Sequence, residues 1–185
     1  MFKRLFNRGR QVDRLVVDAI YGEIVAAARQ PTFYSAWDVP DTPLGRFEMM
    51  GLHVFLLLHR LRGEEGAARE AAQEITDEFF RDVDHSIREL GIGDVGVPKR
   101  MKKLSRMFYG RVLSYGEAID KGDRATLAEA LARNVQPGIE GWAGAAPLAA
   151  YVMEAAAGLA SRPSDEILAG RLHFADAESL AERTM

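Results

Sequence analysis

The 185-residue chain predicts an all-α protein, a compact single-domain bundle of about six to seven helices. Three observations lead there. Apolar residues recur with a period near 3.6 along most of the chain. No segment keeps the period-2 alternation of a half-buried strand, and β-branched residues are scattered. The connections between the periodic segments are short and the segments long, which favours a bundle over a solenoid.

The first long helix is expected over residues 11–30, where Val12, Leu15, Val16, Ala19, Ile20, Ile24 and Ala27 share a face. Pro31 ends it, because proline cannot continue the hydrogen-bond ladder. Phe33, Tyr34, Trp37, Pro40 and Pro43 follow. That mixture predicts a loop packed onto the core and not a flexible linker. Thr42 before Pro43 reads as an N-cap followed by proline at the first helical position. The second helix, over 43–62, is apolar on most sides and is the expected centre of the fold. The third, over 65–90, carries the stripe Ala68, Ala71, Ile75, Phe79, Val83, Ile87 and Leu90. Gly91 supplies the left-handed residue that stops it. The fourth, over 98–121, turns Met101, Leu104, Phe108, Tyr115 and Ile119 inward. Asp123 caps a fifth helix to about residue 134, an alanine-rich sixth covers 145–160, and Ser164 caps a short last one. Residues 1–10 read as a basic N-terminal extension, 11–173 as the helical domain, and 174–185 as a loosely ordered tail.

A chain of this length can bury a sufficient core without covalent or metal staples. It has no cysteine, which excludes a disulfide framework, a thiolate zinc site, an iron–sulfur cluster and a cysteine nucleophile. The net charge is −3, so overall charge selects no partner, but its distribution is uneven. Lys3, Arg4, Arg8, Arg10 and Arg14 crowd the N-terminus, whereas residues 64–89 are acidic. Between residues 99 and 111 stand Lys99, Arg100, Lys102, Lys103, Arg106 and Arg111, without one carboxylate. A helix presents several of these cations as one face opposite Met101, Leu104 and Phe108. That face is either a solvated one, with the acidic third helix as a candidate pairing partner, or a contact for phosphates of RNA or anionic lipid. The first residues mix Phe2, Leu5 and Phe6 with Lys3 and Arg4, a composition suited to a short interfacial helix or to a frayed end. The longest apolar run, residues 49–58, is about half of what a membrane span requires. With no secretory signal either, the expected location is cytoplasmic, with a peripheral position on the inner membrane compatible.

Signals for chemistry are weak. His53, His59, His85 and His173 are the histidines. Only His85, with Glu78, Asp82 and Asp84, suggests a metal-ligand grouping, and a metal site in a bundle needs such groups on several facing helices. A solvated acidic face is the simpler reading. Gly91, Gly93 and Gly96 match G-x-G-x-x-G, but a dinucleotide fingerprint follows a strand, and here a helix precedes it. No G-x-S-x-G elbow occurs. The expectation is a binding protein and not an enzyme, with no catalytic residue, cofactor or metal.

Several segments together carry a resemblance. Pro40-Asp41-Thr42 leads into Gly45-Arg46-Phe47-Glu48, then Leu52-His53 and Arg60-Leu61. Arg88-Glu89-Leu90-Gly91 with Gly93-Asp94 follows, then Lys102-Lys103 and Phe108-Tyr109-Gly110-Arg111. In order and spacing these resemble the ubiquinol–cytochrome c chaperone family over about residues 21–132; no usable resemblance extends beyond about 137. Lacking a transit peptide, the chain reads as a bacterial member. The resemblance implies an all-helical, non-catalytic assembly factor for the cytochrome bc1 complex. Its implied partners are newly made cytochrome b as client, the ribosome near the tunnel exit and a small helical partner protein. The alternative is a peripheral membrane or ribosome- and RNA-binding adaptor with another client. A chaperone for membrane protein needs apolar surface, each covered side chain contributing roughly 1.5–3 kcal/mol. Phe33, Tyr34, Trp37, Met49 and Met50 are the candidate client contacts, with methionine adapting to varied partners. Lys3, Arg4, Lys99, Arg100, Lys102, Lys103 and Arg106 are the candidate contacts for an anionic surface, RNA or lipid.

Overall fold

A computed structural model describes residues 13–184 and places nine helices among them, without a strand. They are α1 (Arg14–Ala28), α2 (Pro31–Ser35), α3 (Pro43–Arg60), α4 (Ala67–Glu89), α5 (Val97–Asp120), α6 (Arg124–Val135), α7 (Ala145–Ala160), α8 (Ser164–Ile167) and α9 (Ala177–Thr184). Lys3, Arg4 and the expected basic extension lie outside the described residues.

Helix α3 occupies the centre, as its all-round apolarity predicts. It packs on α1, α4, α5, α6 and α7, and residues such as Met49, Val54, Phe55, Leu56 and Leu57 are buried on nearly every side of it. Its start is fixed locally. The Thr42 side chain accepts a hydrogen bond from the Gly45 backbone N–H at 3.1 Å, and Pro43 occupies the first turn, where its missing N–H costs nothing. Residue 45 must be glycine, since a Cβ there would stand 1.9 Å from the Pro40 carbonyl oxygen.

Around α3 the neighbours form two packed sets. Helices α4 and α5 lie antiparallel across the tight turn after Gly91, whose φ of 77° is left-handed, as a glycine stop predicts. Their seam is aromatic: Phe79, Phe80 and Phe108 meet with ring centroids 5.1–5.7 Å apart, and Phe47 of α3 stacks on Phe79 at 5.7 Å. Helices α6 and α7 form the second set, tied to α3 through Leu131, Leu148, Val152 and Leu159, all buried.

Three features differ from the sequence expectation. The aromatic stretch after Pro31 is the short helix α2, because Pro31 itself opens a helix at its first position. Ser164 is the first residue of α8, with Pro163 in the cap position. The segment after His173 holds a helix, α9, over Ala177–Thr184, with Ala177 and Leu180 buried against the core. The reason is a polar anchor, since Gln30 accepts from the Ala177 N–H at 2.8 Å and donates to the Ala175 carbonyl at 3.1 Å.

Candidate functional site

The aromatic residues proposed as client contacts are core. Phe33 and Met49 are wholly buried, Trp37 nearly so, and Tyr34 and Met50 are partly buried. Partners from the C-terminal third explain this. Phe33 meets Tyr151 of α7 edge-on at 4.9 Å and Trp37 at 5.5 Å. The Trp142 indole N–H donates to the Trp37 carbonyl at 3.0 Å. Reaching Phe33, Trp37 or Met49 from solvent would require separating α2 from α7, so the folded surface does not offer this cluster to a client.

A polar chain runs through the same region. His53 is fully buried; its Nδ1 lies 2.7 Å from the Met49 carbonyl and its Nε2 2.7 Å from the Tyr151 hydroxyl. Burial lowers its pKa to about 4, so the ring is neutral at physiological pH. A carbonyl can only accept, so Nδ1 carries the proton and Nε2 accepts from the tyrosine. Tyr151 in turn lies 3.3 Å from the Gln30 amide, whose contacts to Ala175 and Ala177 hold the chain before and into α9. Every member has a partner within the core, and the network links α1, α3, α7 and α9.

The second buried ionisable group is Glu48, which accepts from Arg111 of α5 at 2.6 Å. Their side chains are 2% and 12% exposed. Burial pushes the Glu48 carboxyl up to about 7, against the opposing pull of the guanidinium. The Nε of Arg111 is buried without a hydrogen-bond partner. The pair joins the first and last segments that carry the family resemblance. Arg60, another resemblance residue, is structural in the same way. It donates to the Leu159 carbonyl at 3.1 Å, the Arg162 carbonyl at 2.8 Å and Ser164 Oγ at 2.9 Å, so it closes the C-terminal end of α7.

The other histidines do not converge. His85 faces Glu89 at 3.4 Å and is exposed, His173 faces Glu23 at 3.7 Å, and His59 lies 3.3 Å from Asp120. Asp82, expected near His85, accepts instead from the Tyr21 hydroxyl at 2.8 Å. Among the described residues no group of three or more His, Cys, Asp or Glu is placed to hold a metal ion.

Lys99, Arg100, Lys102, Lys103 and Arg106 are all exposed on α5. Among the described residues none of them forms an ion pair, although α4 beside them is rich in carboxylates. Several of those acids are engaged elsewhere: Glu78 takes Arg14 at 3.1 Å as well as Arg81, and Asp84 takes Arg88 at 2.6 Å. The pairing of this helix face with the acidic helix is therefore not made, and the face is solvated. Cations left exposed and unpaired keep their field available to an anionic partner. No helix among the described residues is long and apolar enough to cross a membrane.

Comparison with known proteins adds the following. The family described as Ubiquinol-cytochrome C chaperone matches residues 35–174, which includes α7 and extends past the region where sequence reading found a resemblance. A Xenopus laevis protein named ubiquinol-cytochrome-c reductase complex assembly factor 1 is 31% identical over 103 residues, covering 56% of this chain and 51% of that one. Its Drosophila melanogaster namesake is 25% identical over 154 residues, covering 80% of this chain and 60% of that one. The chain thus spans about half the length of these curated relatives. The crystal structure of the Cbp3 homolog from Brucella abortus is 53% identical and superposes with a TM-score of 0.86, covering 96% of this chain and 98% of that one.

Proposed function

The chain belongs to the ubiquinol-cytochrome C chaperone family, and from that premise we propose that it is a non-catalytic assembly chaperone for the ubiquinol–cytochrome c reductase complex, with newly made cytochrome b as its client. The observation that carries this reading is the reach of the family match, which spans α3 to α7 and so takes in the helices that build the core. The buried ionisable groups support it. Glu48 and His53 are each enclosed by packing and neighbouring polar groups, and neither opens into a cleft where a substrate could meet it. The work falls to the exterior, and the exposed cations of α5 hold the chaperone at an anionic surface, lipid or ribosomal RNA, near the place where its client is made.

Site-specific crosslinking of the tagged chain in cells translating cytochrome b tests the client. The expected product is a covalent adduct containing cytochrome b peptides. Adducts with other membrane proteins at equal yield, and none with cytochrome b, would remove the client assignment.

A further inference from the structure

The exposed stripe of α5 is more than a row of charges. At about 100° per residue, Lys99, Lys102, Lys103, Arg106, Tyr109, Gly110 and Leu113 fall within an arc of roughly 120°. Tyr109 and Leu113 are exposed large hydrophobics on the same face as the cations. The turn that leads into this helix exposes two more, Leu90 and Val95, and Val95 is 97% exposed. The carboxylates near the turn are partly engaged: Asp94 shares Arg88 with Asp84, Glu89 faces His85, and the arc itself meets no acid before Glu117, which faces Lys121 at 3.8 Å. These bare aliphatic side chains stand at the turn that leads into the unpaired cations of α5.

We propose that this face docks on an anionic lipid bilayer, with the lysines and arginine on headgroup phosphates and Val95 and Leu90 inserted below them. The proposal rests on the reading that the α5 face meets an anionic surface, and it assigns which surface. A phosphate backbone would engage the cations but gives aliphatic side chains nothing to bury against. A bilayer interface engages both, and it also suits an amphipathic tyrosine such as Tyr109. No single part suffices: each cation near the surface strengthens partitioning about fivefold, and two aliphatic tips bury little area alone.

The test is co-sedimentation of the full chain with vesicles of equal parts phosphatidylglycerol and phosphatidylcholine, with pure phosphatidylcholine vesicles and with purified ribosomes, at low and high salt. The variants are Lys102→Glu/Lys103→Glu and Leu90→Ser/Val95→Ser, each checked for unchanged helicity and melting temperature. The expected result is binding to the anionic vesicles and not to phosphatidylcholine. The charge variant should weaken it by at least about 25-fold and the tip variant by about tenfold or more, while the tip variant leaves any ribosome binding unchanged. A tip variant that binds vesicles as the parent does would overturn insertion. Pelleting with ribosomes but not with anionic vesicles would overturn the lipid assignment and leave the anionic-surface reading standing. Pelleting with neither would overturn both.

Discussion

Glu48 and His53 titrate in opposite senses, and each leaves a mark on stability. The Glu48 carboxyl is raised on folding, so the native state binds its proton more tightly than the unfolded chain does. That contribution is fully present below the ordinary glutamate pKa and is lost as pH rises towards about 7. His53 is lowered to about 4, so its contribution is complete above the ordinary histidine pKa and is lost as pH falls towards 4. The two slopes oppose each other over much of the mildly acidic range, and the parent protein alone will not display either. The difference between parent and Glu48→Gln isolates the first, because the His53 term is common to both. From pH 5 to pH 7.5 the parent should lose about 2 kcal/mol of stability relative to Glu48→Gln, whose amide does not titrate. Urea melts of both proteins at several pH values measure it; a gap constant with pH would show that Glu48 is not raised. A second residue-scale expectation concerns Gly45. Gly45→Ala forces a Cβ against the Pro40 carbonyl at 1.9 Å, so the turn before α3 must shift. The expected loss is at least about 2 kcal/mol, read by thermal or denaturant unfolding.

At the scale of elements, the polar network gives α9 a purpose that its length would not suggest. Removing residues 176–185 deletes the Ala177 N–H that Gln30 holds, the Arg183–Glu154 ion pair to α7 and the buried Leu180. The truncated chain should keep its helical circular dichroism but melt earlier, by about 5 °C or more for a 185-residue domain losing at least about 2 kcal/mol. Truncation without effect would make α9 an ornament. The element scale is also where sequence reading succeeded and failed most instructively. Helices α3 to α7 were legible within two residues at each end, because Thr42, Pro43, Gly91, Asp123 and the apolar stripes are local signals that act within one turn. Helix α2 was not, since Pro31 both ends one helix and opens another, and five residues are too few to show a period. The burial of Phe33 and Trp37 was hidden for a different reason: the rings that cover them, Tyr151 and Trp142, lie more than a hundred residues away in the chain. The Glu48–Arg111 pair spans 63 residues and carries no local pattern. The cationic face of α5 was legible because a run without carboxylates is a local fact. Its freedom from ion pairs was not, since that depends on where the acids of α4 turn.

For the whole molecule, several of the residues that carry the family resemblance do structural work. Glu48 and Arg111 join α3 to α5, Arg60 closes α7, and Thr42 with Gly45 sets the entry to α3. On the outside the strongest physical feature is the α5 face with its apolar turn. On the proposed reading the body positions a docking face, and its action is measured by the amount of client assembled. The most direct test is the level of assembled cytochrome bc1 complex, by reduced-minus-oxidised haem spectra and native gels, in cells lacking the gene. The account predicts a marked fall in the complex, restored by the parent gene. A strain without the gene that holds the complex at the parental level would contradict it.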